Sequence, residues 1–370
     1  MDLSNMSSDD LLKLRDSKIK ECAKYKNFQL VRKIQLNSCY GSIGNSWFRY
    51  YDTEMAESIT LSGQLSIRWV ANKINAFLNS VVGSEDYDFV VASDTDSVYL
   101  RLGLLVDKFC KGKTTSEIVN FLDKSSESII LPQMRKAFEE LASTMSAYQN
   151  KMVMEREVIA DKGIWTAKKR YILNVHDSEG VRYAEPKQKI MGIETTRSST
   201  PNVVRQKLKD AIKIILNKDE KSLIKFIDEF RSEFNALPPE DIAFPRSVTN
   251  LNRYYDSAKI YKKSTPIAVK GALIYNHYIR NLKLTRKYTL IQEGDKVKFV
   301  YLKTPNPIGG VEGSDRVISF SSSLPKELDL KGYIDYTTQF RKSFLDPLDH
   351  IVSAIGWSFE KRNTLEGLFA

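Results

Sequence analysis

Tyr87-Asp88-Phe89-Val90-Val91-Ala92-Ser93-Asp94-Thr95-Asp96-Ser97-Val98-Tyr99-Leu100 is the stretch on which the reading of this chain turns. An apolar, β-branched run, Tyr87–Ala92, leads into the polar tetrad Asp94–Ser97, and a second apolar run, Val98-Tyr99-Leu100, follows. Two short strands joined by a tight polar turn make a β-hairpin, so the spacing predicts one over 86–102 with an acidic tip. Such a tip has two uses. Aspartates in turns bond to nearby backbone amides, which is purely structural. Paired carboxylates also bind Mg²⁺, because a hard cation takes oxygen ligands and keeps waters and substrate phosphates in its other positions. The tetrad alone does not choose between them.

Context lies upstream, in Lys33-Ile34-Gln35-Leu36-Asn37-Ser38-Cys39-Tyr40-Gly41. On a helix, Lys33, Asn37 and Tyr40 fall at i, i+4 and i+7, so a cation, an amide and an aromatic ring share one stripe, and Gly41 lets a ligand approach the backbone. The cation can neutralise a triphosphate, the amide can hydrogen-bond to it, and ring and glycine can pack under a base pair. An ordinary amphipathic helix with this stripe in solvent has the same spacing.

The chain has 370 residues, enough for two or three folding units at about 100–200 residues each. Cys22, Cys39 and Cys110 are odd in number and form no CxxC pair, which argues against a disulfide framework or zinc site and fits a reducing cytoplasm. The opening MDLSNMSSDD has no basic and apolar leader pattern, and nowhere do about 18 uncharged apolar residues run together. A soluble, unexported protein with no membrane partner is expected. Lys and Arg number 56 against 46 Asp and Glu, a net charge of +10. The surplus is concentrated: between Arg246 and Lys298 twelve basic residues stand against three acidic ones, interleaved with Tyr254, Tyr255, Tyr261, Tyr275, Tyr278 and Tyr288. Clustered cations with aromatics are the footprint of a polyanion-binding surface. A solvated basic face has the same composition.

Residues 9–80 read mainly helical, beginning at Asp9-Asp10 and with helical spacing over Ile59–Leu78. Residues 86–102 and 151–190 alternate like strands of one sheet, with Ala160-Asp161-Lys162-Gly163 as a turn. Glu117–Gln149 and Asn202–Leu237 read as helices, the second after Ser198-Ser199-Thr200-Pro201, and a helical C-terminal region begins at about Asp335. The fold class is α+β.

Lys33–Gly41 resembles motif B (KxxxNSxYG) of the family B DNA polymerases, and Asp94–Ser97 resembles their DTDS motif C. Gly44–Asp52, Lys168-Lys169-Arg170-Tyr171 and Lys189–Glu194 are similar to the replicative polymerases of T-even-type bacteriophages, and the likeness covers most of the chain. It implies the C-terminal part of a helical fingers domain at 1–55, with the motif B helix. An antiparallel-sheet palm with helices follows at 56–195, carrying hairpin 86–102 and a KxY-motif strand at 164–175. A mostly helical thumb with some strands occupies 196–355, and a clamp-binding tail 356–370.

The resemblance also implies roles. Asp96 and Asp94 are the catalytic, metal-ligating carboxylates for two Mg²⁺ ions. Glu157 lies near the metals, alternating with Glu155 on a strand Met152–Ala160. Lys33, Asn37 and Ser38 bind the deoxynucleoside triphosphate over a floor of Tyr40 and Gly41. Lys169 reads minor-groove acceptors present on every base pair, shares a strand face with Tyr171, and contacts DNA with Lys168 and Arg170. Arg197 and Ser198 meet primer phosphate, and Lys262, Lys263, Lys270 and Arg280 follow the duplex.

Some family parts have no counterpart here. No DxxSLYP-like motif A, proofreading exonuclease motif or first fingers helix occurs. The expectation is a split polymerase whose N-terminal half is a separate chain, although a truncated piece would read the same. Ala92-Ser93 stands where the family often has Tyr-Gly, and the stretch at Asp161–Gly163 is shorter than in related phage enzymes. An alternative reading is a non-catalytic remnant that binds primer-template DNA or a sliding clamp; Lys33, Asn37, Asp94, Asp96 and Lys169 together favour the enzyme, because a binding module needs no triphosphate site. Leu365, Leu368 and Phe369 resemble the tail peptide by which such polymerases bind a sliding clamp, with Glu366 and Ala370 departing from its more aromatic form. The phage likeness implies the cytoplasm of an infected bacterial host.

Overall fold

The computed structural model describes residues 6–310, 313–314 and 316–359, and the chain divides into two compact units, Met1–Arg156 and Glu157–Ala370. Leu365, Leu368 and Phe369, expected to bind a clamp, lie outside the described residues.

In the first unit, α1 (Ser8–Ile43) starts where the Ser7 hydroxyl accepts the Asp10 amide proton at 3.2 Å, and Asp9 and Asp10 oppose the positive end of the helix dipole. This helix buries no residue. Helix α2 (Thr53–Val82) is capped by the Asp52 carboxylate, which accepts from the Met55 amide at 2.9 Å, and stops at Gly83, whose φ of 79° suits glycine. Val70, Ile74 and Leu78, spaced by four, put one face of α2 into a core with Phe89, Leu105, Ile130, Met134 and Phe138. Burying each large side chain contributes about 1.5–3 kcal/mol.

Strands β1 (Val90–Asp94) and β2 (Ser97–Leu100) form the predicted hairpin. Helices α3 (Gly103–Phe109) and α4 (Thr115–Ser125) follow, α4 opened by a reciprocal Thr114–Glu117 cap. The helix expected to run over 117–149 is not one regular element. A π-helical turn, Ser126–Ile130, separates α4 from α5 (Leu131–Thr144), where Pro132, lacking an N–H, cannot continue the α-helical ladder.

In the second unit, β3 (Val158–Ala167), β4 (Arg170–Ser178) and β5 (Val181–Met191) make an antiparallel meander with β4 central. Several sequence expectations need correction. The strands at 86–102 and 151–190 do not belong to one sheet, because β1–β2 and β3–β4–β5 are hydrogen-bonded as separate sheets. Ala160–Gly163 is not a turn but lies inside β3, at an irregular register on the sheet edge, where polar side chains stay solvated and Asn174 Nδ2 donates to Asp161 at 2.8 Å. Glu155 and Glu157 precede the strand instead of alternating along it. The helix expected over 202–237 is two, α6 (Asn202–Asn217) and α7 (Glu220–Ala236). They part at Lys218-Asp219, where the Asp219 carboxylate accepts from the Ser222 amide at 2.8 Å and starts α7.

A second sheet is built from β6 (Phe244–Ser247), β7 (Lys296–Tyr301) and β8 (Val317–Phe320), with β7 central. Helix α8 (Ile267–Asn281) packs on β8 so closely that a Cβ on Gly271 would stand 2.4 Å from Ser319 Oγ. Asn276 ties α8 to Ile291, donating to its carbonyl and accepting from its amide, both at 2.8 Å. Phe230, Phe234, Phe340 and Phe344 interlock in the core, the Phe230 and Phe344 rings 4.9 Å apart edge to face.

Candidate functional site

The acidic hairpin is anchored from α2. Asn75 Oδ1 accepts the Phe89 amide proton at 2.8 Å, while Asn79 accepts from the Tyr87 amide at 3.0 Å and donates to its carbonyl at 2.8 Å. Asn75 and Asn79, one turn apart, thus hold the segment leading into β1. At the tip, Asp94 pairs with Ser97, Thr95 and Asp96 make the two-residue turn, and Thr95 takes a φ of 51°. The Asp94 carbonyl accepts from the Asp96 amide at 2.6 Å and from Ser97 Oγ at 3.1 Å. Asp94 is half-buried and its carboxylate accepts from Thr95 Oγ1 at 3.1 Å; Asp96 is exposed.

Among the described residues no group of three or more His, Cys, Asp or Glu could hold a metal ion. The hairpin offers hard oxygen donors of the right chemistry for Mg²⁺, and two carboxylates fall short of a complete shell. Glu157, also expected near the metals, lies in the second unit, 2.5 Å from Lys189 Nζ in an ion pair.

Lys33, Asn37, Ser38, Tyr40 and Gly41 lie on the last turns of α1, all exposed, so the stripe read from the sequence is accessible. Leu11, Ile19, Phe28, Leu30, Ile34 and Leu36 on the same helix are exposed too, Leu36 by 73%. A helix that leaves so many large apolar side chains in water presents a surface made for another element. Sequence reasoning assigned no role to the connection to α2. There Trp47 is 94% exposed, two residues ahead of Arg49, which lies 5.5 Å from the Tyr50 ring. An indole so exposed can stack on a base.

The basic turn lies in the second unit. Ala167 pairs with Arg170, so Lys168 and Lys169 form a two-residue turn between β3 and β4, and both are exposed. Lys169 and Tyr171 therefore do not share a strand face. Lys169 occupies the turn at φ 63°, while Tyr171 is buried in β4 opposite Trp165 and Met191. Gly192 makes this turn possible: a Cβ there would come 2.3 Å from the Lys169 carbonyl oxygen, and its own φ is 69°. Arg197 and Ser198, also exposed, follow on the turn before α6.

The interleaving of tyrosines and cations over 246–298 is partly a core pattern. Tyr275 is buried, its hydroxyl donates to the Thr289 carbonyl at 3.3 Å, and burial raises its pKa. Lys262 donates to the Arg253 carbonyl at 2.8 Å, and Lys270 lies 4.4 Å from the Tyr261 ring centroid. Lys287 and Tyr288 both bond to Glu327, whose pKa they draw down to about 2. Lys263 remains exposed, and Arg280 lines a polar cleft with Asn252, Tyr255, His277 and Asn281.

Residues 9–353 match the sequence profile of DNA polymerase family B. The chain is 37% identical over 372 residues to the DNA-directed DNA polymerase of Enterobacteria phage T4, covering 96% of this chain and 40% of that protein. It is 39% identical over 357 residues to the DNA-directed DNA polymerase of Escherichia phage RB69, covering 92% of this chain and 38% of the relative. A weaker similarity, 24% over 206 residues, covers 54% of this chain and 16% of the DNA polymerase delta catalytic subunit of Drosophila melanogaster. The chain thus spans about 40% of the length of the phage proteins it matches.

Proposed function

This chain belongs to DNA polymerase family B, and we propose that it is the C-terminal polymerase part of a phage-type, DNA-directed DNA polymerase acting in the cytoplasm of an infected bacterial host. The observation that carries the reading is the acidic hairpin, pinned to α2 by Asn75 and Asn79, with Asp94 and Asp96 at its tip. These carboxylates are the residues that would hold Mg²⁺. Two ions bound there would supply the positive charge needed for activation of the primer hydroxyl and for departure of pyrophosphate.

The chain's own groups bind and orient. Lys33 neutralises the incoming triphosphate, Asn37 and Ser38 hydrogen-bond to it, and Tyr40 with Gly41 supports the nascent pair. Lys169, held in its turn above Gly192, tests base-pair geometry through minor-groove acceptors, with Lys168, Arg170 and Tyr171 shaping that contact. Arg197, Ser198, Lys262, Lys263, Lys270 and Arg280 meet backbone phosphates. On this reading residues 1–55 belong to the fingers, 56–195 to the palm and 196–355 to the thumb, and Glu157 acts near the metals.

Two carboxylates cannot position both ions, so a further aspartate, with the exonuclease, comes from an N-terminal part supplied as a separate chain. The exposed apolar side chains of α1 support a contact with such a partner. The tail at Leu365, Leu368 and Phe369 docks on a sliding clamp, and its deletion removes clamp-stimulated processivity while sparing distributive synthesis. The deciding experiment is primer extension with Mg²⁺ and four deoxynucleoside triphosphates. No synthesis is expected from this chain alone, with gain on mixing with the N-terminal part. Robust synthesis by the single chain overturns the split.

A further inference from the structure

The turn joining β5 to α6 carries Arg197 and is held from β6. Arg246 Nη1 donates to the Ser199 carbonyl at 2.8 Å and to the Pro245 carbonyl at 2.9 Å. Its strand is paired to β7 with Arg246 opposite Val297, and its guanidinium carbon lies 5.9 Å from the Phe244 ring centroid. Arg197 is placed from the other side: Nη2 donates to the Gly192 carbonyl at 3.2 Å, and Nη1 lies 3.4 Å from Glu194.

Two guanidinium groups are thereby fixed beside one turn. Arg246 spends Nη1 on carbonyls, and its Nε and Nη2 have no acceptor among the described residues. That unused edge is the planar fork that matches a phosphate. The pKa of Arg246 is lowered, first by desolvation and then by the positive charge of Arg197, with Tyr301 opposing. Glu194 offsets only one of the two charges. The same turn opens α6, whose cap, Pro201, makes no side-chain bond to the first-turn amides, so the positive end of a sixteen-residue helix adds to the local field.

We propose that Arg197 and Arg246 together bind a single backbone phosphate of DNA at the β5–α6 turn, with Arg246 also holding that turn in position. The proposal rests on the reading of this chain as DNA-binding.

The test is equilibrium binding of a labelled primer-template duplex to the full chain over a range of salt, for wild type, Arg197→Ala, Arg246→Ala, Arg246→Lys and the double alanine variant. A shared phosphate predicts about tenfold weaker binding for Arg246→Ala. It also predicts a log–log salt slope shallower by about 0.9 in total for the double variant, because one phosphate is lost once, with each single alanine variant changing the slope by no more than that. Arg246→Lys keeps the charge without the fork and falls between. A slope change of about 1.8 in the double variant, meaning two separate phosphates, overturns the shared site. Weaker binding by Arg246→Ala at an unchanged slope, with a lower unfolding midpoint, also overturns it and leaves Arg246 a buttress only. Failure of the wild-type chain to bind duplex takes down the DNA-binding reading itself, whereas wild-type binding with an unaffected Arg246→Ala overturns the phosphate site alone.

Discussion

Two hairpins, one in each unit, close with two-residue turns of opposite charge, the left-handed residue coming first in one turn and second in the other. Asp94–Ser97 places Thr95 at φ 51° and presents carboxylates, whereas Ala167–Arg170 places Lys169 at φ 63° and presents ammonium groups. Both hold a non-glycine residue in the left-handed region, which costs energy and persists only where the surroundings impose it. The impositions differ. The acidic hairpin is held by side-chain hydrogen bonds from Asn75 and Asn79 to the segment ahead of its first strand. The basic one is held by close backbone packing over Gly192. Polar anchoring acts on the segment ahead of the acidic tip, while steric anchoring acts on the backbone of the basic turn itself.

The largest effect separates the two chemically. On the proposed reading, with the chain joined by an N-terminal part, Asp96→Ala should slow single-turnover extension by about three orders of magnitude or more while duplex affinity stays within about twofold. Near-normal extension would break the assignment of the acidic tip. Gly192→Ala attacks the steric anchor. A Cβ 2.3 Å from the Lys169 oxygen should cost about 2–3 kcal/mol, read as a lower urea midpoint. Amide exchange in the Asp94–Ser97 hairpin should stay unchanged, and an unaltered midpoint would mean that the basic turn is not held from Gly192.

Asn79→Ala attacks the polar anchor. It leaves the Tyr87 amide and carbonyl unpaired, at about 1–3 kcal/mol, and should speed amide exchange at Tyr87 while the Lys168-Lys169 turn is untouched.

The smallest effect concerns which cations of the second unit are already spent. Glu327 has its pKa lowered from 4.5 to about 2, chiefly by the Lys287 hydrogen bond and then by Tyr288. A depressed carboxylate stabilises the fold above its unfolded pKa, and that contribution is lost as pH falls from about 4.5 towards 2. Glu327→Gln should therefore flatten the pH dependence of the urea midpoint in that window. The change is small, because the carboxylate is screened by solvent. Identical pH profiles would return Lys287 to the cations available for phosphate.

Much of this was legible in the sequence. The hairpin over 86–102 was, because alternation and a polar tetrad act within a few residues. So was the motif B helix, and so were starts such as Asp9-Asp10 and the turn before Asn202. Asn75 and Asn79 could have been found, since amides four apart on an otherwise apolar helix face must hydrogen-bond to something buried. Other features were misread for physical reasons. Polar Asp161-Lys162-Gly163 has the composition of a turn, yet an edge strand tolerates it. Lys169 and Tyr171 alternate as strand residues do, but a two-residue turn begins ahead of Arg170 and ends that alternation. Tyr275 sits among cations in sequence and in the core in space, because α8 is buried on every face over Gly271–Asn276 and the cations lie on segments beyond it or at its ends.

The sequence by itself determined the α+β class, the helical start of the chain, the acidic hairpin, the two motif strings and the family they resemble. These depend on spacing and residue chemistry within short windows. Only the tertiary structure decided that α1 buries nothing, that Gly192 clears room for the Lys169 backbone, and that Arg246 reaches the Ser199 carbonyl from another sheet. Each of these depends on where chain segments distant in sequence come to lie, and that is set by the packing of whole faces, which no local pattern encodes.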